Sequence, residues 1–210
     1  MKRSYLYFFL CVFAFGAYCV SGQDDGAGPI IVIDPGHGGM DSGTVGINGR
    51  KEKEVVLKIA AEILRLNREL YRDRLKIYST RYIDTLVSLK DRAKLANALK
   101  ASVLVSIHFN YADSKDVQGF EVYIKNSNEP SAKLGGLFVE GLSKKLGLKN
   151  RGSMVGNFHV LRESGCEASV LLELGFLSNE AEAGHIGKES SISAYALSIL
   201  ETMFKYLGYD

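Results

Sequence analysis

Four side chains have types and surroundings that could do chemistry. His37 lies in Asp34-Pro35-Gly36-His37-Gly38-Gly39, where flanking glycines let the backbone bend closely about a ligand without β-carbons in the way. His108 stands near the end of the apolar run Val103 to Phe109. Glu173 is embedded in Val170-Leu171-Leu172-Glu173-Leu174, where a carboxylate loses hydration and needs a cation or a donor in exchange. Glu52 opens a stretch of helical spacing. Each also has an ordinary reading. A turn histidine is commonly just solvated, Glu52 suits a helix N-terminus through the dipole, His108 could be a hydrogen-bonded core residue, and Glu173 could pair with an arginine or face solvent.

As a set they say more. Two imidazoles and one carboxylate match catalytic zinc, which keeps a position free for water, whereas structural zinc closes its sphere, usually with several cysteines. Ligand type alone also admits iron, manganese or cobalt.

The elements that must bring these residues together follow from apolar spacing. Ile30-Ile31-Val32-Ile33 reads as a strand buried on both faces, and Asp34 to Gly49, with six glycines and a proline, as loop. From Glu52, the residues Val55, Val56, Ile59, Ala60, Ile63 and Leu64 form one helical stripe. A strand is predicted at Leu75 to Thr80, then a helix capped by Ser88 with Asp91 and running to Lys100, then a strand at Val103 to Phe109. The remainder reads as a strand at Gly119 to Lys125, a helix at about Ser131 to Leu146, strands at Phe158 to Arg162 and Ser169 to Phe176, and a helix at about Ser190 to Leu207. This alternation predicts a single α/β domain with a mixed, mostly parallel sheet flanked by helices. The active site is expected at the carboxyl ends of the strands.

Residues 1–22 place Lys2 and Arg3 before an apolar run from Tyr5 to Val20 that ends in Val-Ser-Gly, the pattern of a cleaved signal peptide. A retained anchor and lipidation at Cys19 are the alternatives. Residues 23–29 are read as a short linker and 30–210 as the catalytic domain. Removing Lys2 and Arg3 leaves 24 Lys+Arg against 24 Asp+Glu, so charge gives no case for binding nucleic acid or anionic membrane. Of Cys11, Cys19 and Cys166 only the last survives cleavage, which excludes an internal disulfide. Cys166 has no neighbouring base and reads as structural.

The strings IVIDPGHGGMDSGTVGINGRKEKEVVLKIA, STRYIDTLVSLKDRAKLAN, VSIHFN and LLELGFLSN resemble, in order and spacing, the zinc-dependent N-acetylmuramoyl-L-alanine amidases of the amidase-3 family. The resemblance runs from about Ile30 to the C-terminus. It implies one Zn²⁺ per chain held by His37, Glu52 and His108, with Glu173, in the Glu-x-Gly-Phe-Leu-Ser-Asn motif, as the catalytic acid/base. It implies peptidoglycan or a muropeptide as substrate and work in the periplasm or cell envelope. Cys166-Glu167-Ala168 departs from the Met-Pro-Ala-like stretch of relatives, so that loop is expected to differ in shape. His108 and Glu173 are 65 residues apart and the interval reads wholly as core, so no inhibitory helix is expected. Asn110 is read first as a turn residue and second as a groove residue, His159 as a strand residue near the groove, and His185 as a solvated loop residue. A monomer is expected, without a separate wall-binding domain, which leaves room for a protein activator or targeting partner. The competing readings are a zinc peptidase or deacetylase acting on wall fragments and a non-catalytic wall-binding module.

Overall fold

The computed structural model describes residues 28–127 and 129–209. The signal-peptide reading, with most of the linker, lies outside these residues. Six strands form one sheet in the order β2-β1-β3-β6-β4-β5. Strands β1 (Ile30–Pro35), β2 (Lys76–Ser79), β3 (Val103–Asn110) and β6 (Ala168–Phe176) run parallel, and β4 (Phe120–Ile124) is antiparallel to β6 but parallel to β5 (Asn150–Val155). The mixed, mostly parallel sheet expected from the sequence is therefore the one observed.

Side chains alternate between the two faces of the sheet, and the two faces are covered unequally. Helices α1 (Glu52–Tyr71), α3 (Glu129–Leu146) and α6 (Glu189–Tyr206) close one face over Ile31, Ile33, Val105, Ile107, Val170 and Leu172. The opposite face has a smaller cover. There α2 (Leu89–Ala98) and the short α4 (His159–Glu163) pack Ala96, Val160 and Leu161 onto Val32, Leu104 and Leu171. These apolar residues occupy the part of the strands nearer their starts. Following the same alternation toward the carboxyl ends brings Asp34, Ser106, His108 and Glu173 onto this thinly covered face. A short helical layer thus leaves a polar strip of sheet open at one end.

Local signals placed most elements. The Ser88 hydroxyl accepts from the Asp91 amide at 3.1 Å, the helix cap expected, and donates to the Asp91 carboxylate at 2.6 Å. Two elements went unanticipated: β5, an edge strand whose residues Asn150–Val155 carry little apolar content, and α5 (Glu180–Ile186). One expectation is corrected: the strand read at Phe158 to Arg162 is the single-turn helix α4. Phe158, Val160 and Arg162 alternate as a strand would, yet the adjacent Val160 and Leu161 are both buried in the same cluster, which one face of a turn of helix permits. His185 is exposed as expected, though in α5 rather than a loop.

Because this second layer is so small, Leu161 should matter more than its place in a five-residue helix suggests. Leu161→Ala should cost about 2–5 kcal/mol in denaturant unfolding, the range for a fully buried leucine. A loss under 1 kcal/mol would mean that α4 does not hold the face.

Candidate active site

The loop after β1 folds back on the sheet because its glycines allow close approach. A β-carbon at Gly36 would lie 2.1 Å from His108 Cε1, and one at Gly43 would lie 2.5 Å from His37 Cδ2 and 2.6 Å from Glu52 Oε2. His37 itself takes a left-handed φ of 57°, which turns its ring toward the start of α1. There His37 Nε2 is 3.2 Å and His108 Nδ1 is 2.9 Å from the same oxygen, Glu52 Oε1. The two rings meet edge to face with centroids 5.0 Å apart.

These three residues, drawn from a loop, a helix start and a strand end, offer ligand atoms that all lie within 4.8 Å of one another. Ligand atoms about 2.0–2.1 Å from one ion in a tetrahedral arrangement are roughly 3.3 Å apart, so the two measured separations suit a common cation. The opposite nitrogen of His37, Nδ1, is 2.8 Å from Asp41 Oδ2, the carboxylate–imidazole pairing that fixes the ring and its tautomer in metal sites. Glu52 accepts the Phe109 amide at 3.0 Å on Oε1 and the Thr44 amide at 2.9 Å on Oε2, which locks its carboxylate plane.

Burial works against the charge on Glu52, but hydrogen bonds and charge from His108 and His37 outweigh it and hold the carboxyl well below the usual range. Burial likewise works against charge on His37, and Glu52 and Asp41 overcome it, raising that imidazole to about 9. The cluster is a pre-formed seat for positive charge.

Glu173 pairs in register with His108 on one side and Glu121 on the other, so it shares their face of the sheet. Its Oε2 is sealed from solvent without a hydrogen-bond partner. Burial, opposed by His108 and reinforced by Glu52 and Glu121, pushes its carboxyl up to about 7. Glu121 is different. Arg151 Nε donates to its Oε1 at 2.8 Å, while Tyr123 Oη and Asn110 Nδ2 donate to its Oε2 at 2.9 and 3.2 Å.

A cleft of about 680 Å³ takes in His37, Glu52, His108 and Glu173, and reaches Asn110 and His159 as well. All four residues singled out in the sequence thus line one cavity. Cys166 is half-buried, and burial raises its thiol above the usual range.

Sequence reasoning missed the layer beneath. Asp34 is buried, accepts from Arg92 at 2.7 Å and Thr80 at 2.6 Å on Oδ1, and from Ser106 at 2.7 Å on Oδ2. Arg92 also donates to the carbonyls of Pro35 at 2.8 Å and His37 at 2.7 Å. Arg81, equally buried, donates to the carbonyls of Pro35 at 3.0 Å, Gly36 at 2.7 Å and Lys53 at 2.9 Å. Two guanidinium groups therefore grip the backbone that carries His37. Neither residue bears a local signal of this: each is one basic residue in a charged stretch, and only the fold buries it.

The α/β domain thus carries, at its strand ends, a His-Glu-His cluster that could hold a metal ion beside a buried carboxylate. Residues 31–205 match the family Amidase_3, N-acetylmuramoyl-L-alanine amidase, and the chain belongs to this family. It is 36% identical over 173 residues to the endolysin of Bacillus phage SPP1, covering 80% of this chain and 62% of that one. It superposes on the catalytic domain of the N-acetylmuramoyl-L-alanine amidase CwlV from Bacillus (Paenibacillus) polymyxa var. colistinus with a TM-score of 0.79 and 36% identity, covering 87% of this chain and 99% of that one. The CwlD amidase of Clostridioides difficile, solved in complex with the GerS lipoprotein, matches with a TM-score of 0.79 and 26% identity, covering 87% of this chain and all of that one. The chain spans less than two-thirds of the length of the curated relatives it matches, 62% of the endolysin and 32% of LytC of Bacillus subtilis.

The grip on the loop can be tested through its charge. Burial alone would raise Asp34, and Arg92 with three hydrogen bonds instead holds it below the usual carboxylate range. A depressed carboxyl stabilises the fold above its unfolded value of 3.8, and that contribution is lost as pH falls through its folded value. Arg92→Met removes the partner and leaves a buried charge, so unfolding at pH 7 should be easier by about 3–5 kcal/mol. The deficit should shrink toward pH 4 as Asp34 takes up a proton. Denaturant titrations across this range check it, and a pH-independent deficit would contradict the assignment.

Proposed function

We propose that this chain is a zinc-dependent amidase that hydrolyses the amide between N-acetylmuramic acid and L-alanine in peptidoglycan, with His37, Glu52 and His108 as ligands and Glu173 as acid/base. The observation that carries the reading is the convergence of two imidazoles on one carboxylate oxygen, with a second, unpaired carboxylate on the same face. Family membership supports the bond cleaved, and the donor set supports zinc.

Bound at this cluster, zinc would supply Lewis acidity for the scissile carbonyl and make water easier to deprotonate. The protein's own part is proton transfer and placement. Glu173, raised to about 7, can take a proton from water as it adds to the lactyl carbonyl and pass it to the L-alanine nitrogen as the C–N bond breaks. Glu52, its carboxylate fixed by the Thr44 and Phe109 amides, would offer the third ligand beside the two imidazoles, and Asp41 holds the outward nitrogen of His37.

Wall-directed relatives and the basic-then-apolar start support action outside the cytoplasm, after export. Among the described residues no helix is long and apolar enough to cross a membrane. The complex of CwlD with GerS supports a lipoprotein-type partner for this chain as well.

Digestion of purified sacculi should release intact stem peptides and free muramyl groups by mass spectrometry. Chelation should abolish this and added Zn²⁺ restore it. Glu173→Gln should retain its metal and lower kcat by roughly 10²–10⁴-fold, the usual worth of a general acid/base. Full activity in Glu173→Gln, or cleavage inside the peptide, would refute the assignment.

A further inference from the structure

In the reading above Glu173 moves the proton, yet its Oε2 has no hydrogen-bond partner, so the backbone beneath it must set where the carboxyl lies. That backbone is irregular immediately beyond it. His108 pairs with Glu173 but Asn110 pairs with Phe176, so Leu174 and Gly175 of β6 stand opposite the single residue Phe109 of β3. This is a β-bulge, which bends its strand, re-aims nearby side chains and interrupts the ladder of main-chain bonds.

Glu182 of α5 closes the interruption. The Phe176 amide donates to its Oε2 at 2.7 Å, and the Gly119 amide, at the entry to β4, donates to its Oε1 at 2.8 Å. A β-carbon on Gly175 would come within 3.3 Å of the same Oε2, so the carboxylate reaches the bulge because Gly175 has no side chain. Glu182 stands where a helix glutamate usually turns back to the N-cap amide. Here the Asn179 amide donates instead to the Phe176 carbonyl at 3.1 Å, and Glu182 reaches off its own helix. Burial raises its carboxyl above the usual range, and the two amides oppose this by favouring the anion. A partly buried carboxylate bonded to main chain on both oxygens, and set apart from the residues lining the cleft, has a geometric task.

The strands it joins carry two facing carboxylates. Phe176 lies three residues past Glu173 and Gly119 two before Glu121, and Glu121 pairs with Glu173 across β4 and β6. Phe176 also supports Glu121 from below: the Arg151 guanidinium lies 5.2 Å from the centre of its ring while Arg151 Nε donates to Glu121 at 2.8 Å. Moving Phe176 therefore disturbs the bulge on one side and the partner of Glu121 on the other.

Resting on the amidase reading above, we propose that Glu182 is a positioning residue for the acid/base: by holding the Phe176 and Gly119 amides on one carboxylate it fixes the bulge, and through the bulge the direction in which Glu173 presents its carboxyl to the cleft.

Glu182→Gln keeps the shape of the side chain but offers one acceptor and turns an amino group toward a main-chain donor. With a soluble muramoyl-peptide as substrate, kcat should fall roughly 10–100-fold, the cost of an acid/base displaced by about an ångström, while KM stays within about twofold. Zinc content by metal analysis should match that of wild type. The exposed Glu180→Gln removes the same charge from the same turn of helix and should leave kcat unchanged. A readout independent of turnover is the ¹H–¹⁵N NMR spectrum, where the Phe176 and Gly119 amides should move upfield in Glu182→Gln and those of Glu173 to Gly175 should shift as the bulge relaxes. An unchanged kcat beside lowered stability would mean that Glu182 serves the fold alone, and loss of zinc would mean that it acts on the metal ligands; either result overturns the proposal. A wild-type chain that left the muramoyl amide intact would sink the amidase reading, and the NMR shifts would still decide whether Glu182 sets the bulge that aims Glu173, with unmoved shifts overturning that as well.

Discussion

The buried pair between Asp34 and Arg92 is the interaction on which the rest of the site depends. It joins the end of strand β1 to helix α2, and the same guanidinium reaches the carbonyls of Pro35 and His37. Desolvating two charges is costly, and here five further hydrogen bonds to Asp34 and Arg92 offset that cost, so the pair fixes geometry more than it adds stability. Arg81 completes the grip from the β2 side. A left-handed His37 between glycines would otherwise have many conformations open to it, and an imidazole displaced by an ångström no longer meets Glu52.

Much of this was legible in the sequence. The all-apolar strands announced a sheet buried on both faces, and the unusual placement of His37, His108 and Glu173 announced where to look. The parallel strand order explains why they meet, since β1, β3 and β6 are neighbours and deliver their carboxyl ends to one edge. Periodicity failed where the element was shorter than its own signal. One turn of helix at His159–Glu163 and an edge strand rich in polar residues carry too few apolar positions to distinguish two residues per repeat from 3.6.

The supporting residues failed for another reason. Asp41, Arg81 and Arg92 are ordinary in composition and become special only through burial or a tight turn, neither of which local spacing encodes. Asp41 meets His37 four residues earlier because the Gly38–Asp41 turn closes on itself, with amide-to-carbonyl bonds of 2.9 and 3.1 Å. A single Asp in a glycine-rich loop shows none of this. The residues of the cluster carry unusual chemistry in unusual places, whereas residues that hold them in position are recognisable only in three dimensions.

The antiparallel pairing of β4 with β6 explains why the Glu173 carboxyl holds a proton more tightly than usual. Because β4 runs against β6, Glu121 enters the same row as His108 and Glu173, and two neighbouring carboxylates on a half-buried surface cannot both ionise at ordinary cost. The structure resolves the conflict by giving every partner to one of them. Arg151 from β5, the Tyr123 hydroxyl and the Asn110 amide all donate to Glu121. Tyr123 is pushed up to about 12, first by burial and then by that bond, so it stays a donor. Glu173 is left with a sealed, unpaired oxygen and the negative charge of Glu121 beside it, and both raise its proton affinity toward neutrality. Had β4 been parallel, its start would lie at the other end of the sheet, and Glu173 would lack the neighbour that helps tune it.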